Sequence, residues 1–407
     1  MIKNKKEHKT AFPELRFLEF RDSEGWILSP LSQLLDYERP DSYIVSNTNY
    51  CNDGTPVLTA NKSFILGYTK EDYGICNNIP VVIFDDFTAD KKYVDFPFKV
   101  KSSAIKILRP KKDNNLRFAF ELMNCIKFET AEHKRYYISS YQTQTVPVPQ
   151  PNEQNKIANC LSSLDDLISA VTDKIEALKE HKKGLMQQLF PAEGSTVPTL
   201  RFPEFKNSNK WHEKRIKDLK LEIITGFAFK GNDISELRDG IRLMRGINIT
   251  EGYVRHTDDI DRYYLGDTER LSKYFLKVND LVIGMDGSKV GKNMALITDV
   301  DSKSLLVQRV ARLRSQNVSL IKYLFQQINS SRFFSYVDRI NTSSGIPHIS
   351  QKQIEEFLVW IPDDRLEIKK IGDVLISIDD QIFAETQKLE LLKAHKKGLM
   401  QRLFPKI

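Results

Sequence analysis

The sequence has few cysteines, no long apolar run and little excess charge of either sign. Among its 407 residues, the 4 cysteines are scattered and form no C-x-x-C pair, which argues against a zinc cluster and against a disulfide framework. No stretch approaches the roughly 18 consecutive apolar residues that a membrane span requires. No apolar segment follows the basic N-terminal residues, as it would in a secretory signal. We therefore expect a cytoplasmic protein with no membrane partner.

Recognisable catalytic and metal-binding motifs are also missing from the sequence. The 7 histidines form no H-E-x-x-H pattern. The segment Gly284–Asn293 resembles a phosphate-binding loop, but Asp286 stands where its first glycine belongs, so a hairpin turn is the better interpretation. Asp363, Glu367 and Lys369 resemble a nuclease motif, but they open a helix, where acidic residues favour the N-terminus. We expect no catalytic residue and no metal site, while the net charge of +7 permits a nucleic-acid partner.

The sequence repeats a segment of 40 residues. Residues 152–191 align without gaps on residues 366–405 with 24 identities, and both copies end in H-K-K-G-L-M-Q-x-L-F-P. A shorter repeat, P-x-L-R-F-x-E-F, occupies residues 13–20 and 198–205, and a tryptophan closes each copy. The longer segments between these repeats do not align by eye. The sequence therefore predicts a duplicated frame that carries two different inserts.

The longer repeat has the apolar pattern of a coiled-coil helix. Its apolar residues recur at spacings of three and four over more than four heptads, a period of 3.5 residues. The predicted seam comprises Ile157, Leu161, Leu164, Ile168, Val171, Ile175 and Leu178 in the first copy, and Ile371, Leu375, Ile378, Ile382, Leu389 and Leu392 in the second. Prolines precede and follow both copies, so we predict two helices of about 38 residues, each roughly 57 Å long.

The two helices are predicted to pair with each other in antiparallel orientation. An antiparallel pair lets the second insert start and finish at the same end of the coiled coil, without a long return connection. The expected organisation is pseudo-two-fold, with one globular domain at each end, and circular, with Pro405 near the Pro13 arm. The polar seam residues Lys182, Glu385 and Lys396 indicate either a seam that splays or, at Glu385, a residue that fixes the register.

Each insert is predicted to be a full α+β domain. The expected segments are a first arm at 1–26, a first insert at 27–147, the first helix at 148–191, a linker with the second arm at 192–211, a second insert at 212–361 and the second helix at 362–407. Strands are predicted at 81–84, 93–96 and 104–108, at 280–284 with a return at 294–297, and at 304–313. Helices are predicted near 116–128 and 319–337.

Both inserts carry Arg, Lys and Asn residues interleaved with aromatic residues. These types can neutralise phosphates and read base edges, although each of them alone is also an ordinary solvated surface residue. The positions predicted to contact DNA lie in turn-like segments beside predicted strands: Asn61, Lys62, Ser63 and Tyr68 in the first insert, and Lys230, Arg245, Lys289, Lys292 and Ser344 in the second.

The architecture resembles the specificity (S) subunit of type I restriction–modification systems. The resemblance is carried by the two P-x-L-R-F-x-E-F arms with their tryptophans and by the two H-K-K-G-L-M-Q-x-L-F-P helix ends. Looser matches lie in the inserts, at 58–68, 226–230, 276–283 and 349–350. The resemblance covers essentially the whole chain, and the duplicated frame makes it specific.

The resemblance implies a function for each part of the chain. Each insert would be a target-recognition domain for one half of a split double-stranded DNA sequence, and the coiled coil would fix the gap between the halves. The subunit would bind two methyltransferase subunits, which modify adenine with S-adenosylmethionine, and restriction subunits that use ATP and Mg²⁺. The chain itself would hold no cofactor and catalyse no reaction.

Two other classes of protein are compatible with parts of the sequence. A stand-alone coiled-coil DNA-binding or scaffold protein would explain the helices and the basic balance, but not two unlike inserts in a repeated frame. An enzyme in its own right would need a set of catalytic residues that the sequence does not reveal.

Overall fold

The structure is a computed structural model that describes residues 9–61, 63–130, 134–287, 289–341 and 347–406. The chain divides into two compact units. The first comprises Met1–Thr172 together with Gln387–Ile407, and the second comprises Asp173–Thr386. Each unit therefore contains one insert and a part of each of the two long helices.

The first unit combines short strands with a short helix ahead of the first long helix. Its strands are β1 (Thr10–Ala11), β2 (Trp26–Pro30), β3 (Leu35–Glu38), β4 (Thr55–Leu58), β5 (Ile65–Thr69), β6 (Val81–Asp85), β7 (Lys91–Val94), β8 (Lys99–Val100), β9 (Ile105–Pro110) and β10 (Thr145–Val148). The helices are α1 (Leu116–Cys125) and α2 (Pro151–Leu189).

The central sheet of the first unit has the strand order β3-β9-β6-β7 and is antiparallel throughout. A second sheet, β5-β4-β8, contains the parallel pair β4–β8. Strand β6 is buried along its whole length, since Val82 and Phe84 face one hydrophobic cluster and Val81 and Ile83 face another. Burial on both faces explains why this strand is a continuous apolar run in the sequence.

The second unit begins with the end of α2 and closes with most of the second long helix. Its strands are β11 (His212–Arg215), β12 (Glu222–Thr225), β13 (Ile234–Ser235), β14 (Ile241–Met244), β15 (Glu251–Gly252), β16 (Tyr263–Tyr264), β17 (Leu281–Gly284), β18 (Met294–Leu296), β19 (Leu305–Leu306), β20 (Val310–Arg314) and β21 (Leu358–Ile361). Its helices are α3 (Val318–Ile328), α4 (Ser331–Ile340), α5 (Gln351–Glu356) and α6 (Arg365–Leu403), the last of which continues into the first unit.

The two inserts have the same strand order, although their sequences do not align by eye. Strands β12, β20, β17 and β18 follow one another in the second unit as β3, β9, β6 and β7 do in the first. The parallel pair β14–β19 likewise corresponds to β4–β8. The two inserts are therefore two versions of one α+β domain, which confirms the predicted fold class.

Two local predictions in the second insert were wrong. The expected strand at 304–313 is divided into β19 and β20, because the backbone turns at Arg309, where φ is +67°. The expected helix at 319–337 is divided into α3 and α4, because Ser330 leaves the helical conformation and its hydroxyl caps the second helix.

The long helices run antiparallel within each unit. In the second unit, the Lys182 ammonium lies 2.6 Å from the Asp379 carboxylate, and Lys174 pairs with Glu385. In the first unit, the Lys396 ammonium lies 2.7 Å from Asp165. Each polar seam residue thus has a partner on the opposite helix, which favours the interpretation that such residues fix the register. Both helices span 39 residues, close to the predicted length.

The predicted seam residues are all buried or half-buried, and Ile157, Leu161, Ile371 and Leu375 belong to hydrophobic clusters that include residues of the inserts. Those that are buried are Ile157, Leu161, Val171, Ile175, Ile371, Leu375, Ile378 and Leu389, and those that are half-buried are Leu164, Ile168, Leu178, Ile382 and Leu392. Apolar residues on the same helices but outside the predicted seam, such as Leu167, Phe383 and Leu391, are exposed.

Each arm is fixed to a long helix by a buried ion pair. In the first unit, the Arg16 guanidinium donates two hydrogen bonds of 2.7 Å to the Glu153 carboxylate. Arg201 and Glu367 form the same bidentate pair, with the same distances, in the second unit. All four side chains are at least nine-tenths buried. The repeated sequence therefore encodes a repeated structural joint.

Each arm also contacts the end of a long helix. The Leu200 amide donates to the Gln188 carbonyl in the second unit, and the Leu15 amide donates to the Arg402 carbonyl in the first, both at 2.9 Å. The closing tryptophans, Trp26 and Trp211, pack edge-on against Phe404 and Phe190. The N-terminal arm thus contacts the end of α6, as the predicted circular organisation requires.

Candidate nucleic-acid interface

Five segments of the second insert meet at one edge of its central sheet. The segments are 226–230, 245–250, 285–293 apart from residue 288, 307–309 and 347–349, which together we call the loop edge. Backbone hydrogen bonds hold them together: the Met285 amide donates to the Arg309 carbonyl at 2.9 Å, and the Ile349 amide donates to the Met285 carbonyl at 2.8 Å. The rigid strands below therefore present these loops as one surface.

The structure places four of the predicted DNA-contacting residues on this loop edge. Lys230 and Lys289 are exposed, whereas Arg245 and Lys292 are half-buried. The Lys289 ammonium lies 2.8 Å from the Glu251 carboxylate, and the Lys292 ammonium lies 5.8 Å from the ring centre of Phe334. An exposed ion pair of this kind contributes little stability, so Lys289 is free to exchange its partner for a phosphate.

Arg309 also lies on this edge, although it is not among the positions predicted to contact DNA. Its side chain is exposed and forms no ion pair within the part of the chain that the structure describes. Its backbone is held in the left-handed region, which costs a non-glycine residue about 1 kcal/mol or more and is a common feature of functional sites. Gln308 beside it is also exposed. An arginine next to a glutamine offers donors and acceptors suited to base edges.

Arg245 lies deeper in the loop edge. Its guanidinium donates to the Ile260 carbonyl at 3.2 Å, and no carboxylate within the described ranges binds it. Burial and the nearby Arg262 guanidinium lower its pKa. Arg262 pairs with Glu236 at 2.7 Å, so a phosphate at this position would supply the negative charge that Arg245 lacks.

The corresponding edge of the first insert contains two more of the predicted residues. Asn61 and Ser63 are exposed in the turn between β4 and β5. The Lys101 amide donates to the Leu58 carbonyl just before this turn, and the Val307 amide makes the same bond to Met244 in the second insert. The Asn61–Ser63 turn and the 245–250 loop therefore follow equivalent strands of the two inserts.

Tyr68 is not part of that turn. It lies near the far end of β5, where its backbone exchanges hydrogen bonds of 2.8 and 3.1 Å with Cys51. It lies four positions along the chain from Phe64, which corresponds to roughly 13 Å in a strand. The remaining predicted positions, Lys62 and Ser344, lie outside the described residues.

The loop edge of the first insert differs chemically from that of the second. Its 86–90 segment is fixed by a buried ion pair between Asp86 and Lys106, 3.3 Å apart. Asp86 also accepts a hydrogen bond of 2.8 Å from the Tyr137 amide. Lys101 is exposed in the segment between β8 and β9, which corresponds to the segment between β19 and β20 that contains Gln308 and Arg309. Equivalent loops thus present different side chains.

Other kinds of site receive no support from the described residues. In those ranges, no group of three or more His, Cys, Asp or Glu side chains is arranged to hold a metal ion. No helix in the same ranges is both long and apolar enough to cross a bilayer.

Comparison with known proteins identifies the family. A sequence profile described as the type I restriction modification DNA specificity domain matches residues 23–180 and 208–394. The chain belongs to this family. The two matched regions each contain one insert with parts of its frame, so the family match extends over both units.

Individual members of the specificity-subunit family resemble this chain over different lengths. It is 38% identical to the EcoR124I/EcoR124II specificity subunit of Escherichia coli over 197 residues, which are 45% of this chain and 48% of that subunit. It is 23% identical to the MjaVIII specificity subunit of Methanocaldococcus jannaschii over 388 residues, 91% of this chain and 87% of that one. The alignment with the E. coli subunit thus covers about half of that protein.

A solved structure has the same fold. The crystal structure of the type I restriction–modification S subunit from M. genitalium superposes with a TM-score of 0.69 and covers 97% of this chain and 99% of its own. The sequences are 16% identical, so the likeness shows the fold alone. It agrees with two α+β inserts joined by long helices.

Proposed function

We propose that this chain is a non-catalytic, DNA-binding specificity subunit that reads a bipartite double-stranded sequence, with one half read by each insert. The observation that carries the proposal is the pair of equivalent loop edges with unlike side chains. The shared strand order gives both inserts the same way of presenting loops. The different residues at equivalent positions would give each insert a different half-site.

The chemistry of the second loop edge supports a DNA ligand. Lys230, Lys289 and Lys292 are cations on or beside exposed loops, which suits phosphate contacts. The neutral Gln308 and the cationic Arg309 are both exposed at the bend between β19 and β20. This combination suits base contacts in a groove. Phosphate contacts would set orientation, and base contacts would set the sequence that is read.

We further propose that the frame binds two methyltransferase subunits and that restriction subunits join this assembly in the cytoplasm. The duplicated joints, Arg16–Glu153 and Arg201–Glu367, give the chain two copies of one structural element. Two copies of an element suit two copies of the same partner. S-adenosylmethionine, ATP and Mg²⁺ are assigned to the partner subunits, where the chemistry would take place.

The test is to produce the chain together with the proteins encoded beside it and to identify what co-purifies. The expected result is an adenine methyltransferase in two copies per chain, and methylated adenines in a split sequence of the host genome. A chain that binds DNA specifically but captures no methyltransferase would be the stand-alone DNA-binding protein instead.

The role of each insert is tested by replacing it. Exchange of residues 27–147 for the insert of another family member is expected to change one half of the methylated sequence and leave the other half intact. The matched control exchanges residues 212–361 and is expected to change only the other half. A change in both halves after either exchange would contradict the assignment of one half-site to each insert.

A further inference from the structure

A histidine in the second insert lies between two buried carboxylates. His256 Nδ1 is 3.1 Å from Asp261 Oδ1, and His256 Nε2 is 2.7 Å from Asp301 Oδ1. The His256 side chain is 20% exposed, and those of Asp261 and Asp301 are 4% and 5% exposed. We call these three residues the histidine clamp.

The geometry of the clamp fits a charged ring. A neutral imidazole has one N–H donor, so it can donate to only one of the two carboxylates, whereas an imidazolium donates to both. The hydrogen bond to Asp301 is the largest influence raising the pKa of His256; burial lowers it, the bond to Asp261 raises it, and the Arg242 charge lowers it. The net direction is upward. Asp261, Asp301 and Arg242 are the charged groups that face the ring.

The clamp is connected directly to the loop edge. Asn248, which is fully buried, donates from Nδ2 to the same Asp261 oxygen at 2.9 Å. The Asn248 backbone amide donates to the Arg245 backbone carbonyl at 2.9 Å, and the Asn248 backbone carbonyl accepts from the Arg255 backbone amide at 2.8 Å. The conformation of the 245–250 loop therefore depends on where Asp261 is held.

The opposite side of the clamp is rigid. Asp301 accepts hydrogen bonds from the Thr298 amide at 3.1 Å and from the Thr298 hydroxyl at 2.5 Å. Thr298 follows closely after β18 of the central sheet. His256 thus bridges a residue anchored beside the sheet and the residue that supports the 245–250 loop.

We propose that His256 is a positioning residue, which in its protonated form holds the 245–250 loop in the conformation that contacts DNA. The proposal rests on the proposed function for its DNA-binding role. Nothing in it requires His256 to touch DNA. It makes recognition of the half-site read by the second insert sensitive to pH, while the half-site read by the first insert is unaffected.

The direction of the pH effect follows from the charge on the ring. Because the pKa of His256 is higher in the folded protein than the ordinary value of 6.5, the clamp is complete below about pH 6.5. It weakens as the pH rises through the folded-state value. Loss of the proton leaves one nitrogen lone pair facing a carboxylate oxygen, which repels it.

The first test measures amide hydrogen exchange of Asn248, Ile249 and Thr250 in the full chain without DNA, for the wild type and His256→Gln. Taking the ratio of the two proteins at each pH removes the intrinsic pH dependence of exchange. We expect about tenfold slower exchange in the wild type near pH 6, the effect of a charge-assisted hydrogen bond, and a difference that shrinks as the pH is raised to about 9. A ratio that stays constant over this range would overturn the proposal.

Two further variants complete this test. Asp301→Asn removes one carboxylate without removing the histidine and is expected to reduce the pH dependence of exchange, so the test survives even if His256→Gln does not fold. His181→Gln, on an exposed position of α2, is the matched control and is expected to behave as the wild type. Equal behaviour of Asp301→Asn and wild type would also count against the clamp.

The second test measures DNA affinity over the same pH range, on the target identified by methylation mapping. Wild-type affinity is expected to fall with rising pH more steeply than that of His256→Gln, and base changes in one half-site should abolish that difference. The positioning role would be refuted if the amide exchange ratio responds to pH but the DNA affinity does not. Absence of specific binding at every pH would refute the proposed function, and the exchange ratio would still decide whether the clamp exists.

Discussion

Replacement of Glu367 by glutamine removes the negative member of the buried joint in the second unit. Arg201 and Glu367 are 6% and 0% exposed, and two hydrogen bonds of 2.7 Å join them. Glu367→Gln leaves a buried guanidinium without its counterion, a change that costs about 3–5 kcal/mol. In a unit of about 200 residues, each kcal/mol lowers the unfolding midpoint by roughly 2–4 °C. We therefore expect the midpoint to fall by roughly 10 °C.

Thermal unfolding followed by circular dichroism, with calorimetry for the enthalpy, is the assay. The matched control is Glu204→Gln, because the exposed pair Glu204–Lys370 joins the same arm to the same helix and should have little effect. Glu153→Gln should reproduce the loss in the first unit, where the joint is repeated. The reasoning fails if Glu367→Gln is no more damaging than Glu204→Gln. It also fails if Arg201→Met with Glu367→Leu is as unstable as Glu367→Gln, since the double change leaves no unpaired charge.

Three further outcomes are expected. Insertion of one heptad into both α2 and α6 should lengthen the spacer of the methylated sequence, since the half-sites are expected about one DNA turn apart, roughly 34–36 Å. An unchanged spacer would refute the idea that the coiled coil fixes the gap between the half-sites. Lys289→Ala should weaken binding to all DNA and reduce the slope of log binding constant against log salt concentration by about one. Arg309→Ala should weaken binding to the cognate site roughly tenfold and relax the base preference at one position. Binding measured at several salt concentrations separates these results. Asp379→Asn should destabilise the second unit by about 1–3 kcal/mol in urea unfolding, because Lys182 and Gln326 both bind that carboxylate, and an unchanged midpoint would mean that the seam does not need this pair.

The long helices and the central strands could be predicted from the sequence because their signals are local. A 3.5-residue period marks a helix with one apolar seam, and the structure gives both helices 39 residues. The run Val81–Phe84 marks a strand buried on both faces. In both cases, neighbouring residues alone determine which faces must be buried.

The break at Arg309 could not be predicted in the same way. The residues around it alternate as in one strand, and no glycine marks a left-handed backbone, so the pattern predicts a continuous element. The shared strand order of the two inserts was equally hidden, because strand order depends on pairing between distant segments. The separation of Tyr68 from Asn61 was hidden for a similar reason. It depends on where β5 begins and ends between the two residues.

The buried joints were partly visible in the sequence. Glu367 was predicted to be a helix N-terminal acidic residue, which is where it lies, but its carboxylate binds Arg201, 166 positions away. Arginine and glutamate recur at the same places in both copies of the repeats. That double recurrence was the available signal of a contact. His256, Asp261 and Asp301 carry no such signal, because they occur once and only the fold brings Asp301 to the ring.

Because the arm at Leu15 contacts Arg402, the two units obtain their last segments at different times during synthesis. The second unit is one continuous stretch, Asp173–Thr386, so every segment it needs is available once that stretch has left the ribosome. The first unit needs Gln387 onward, which is made after the whole of the second unit. At about 5–20 residues per second, its first insert waits for more than ten seconds with one face of α2 uncovered. The order of completion is therefore the reverse of the order of translation.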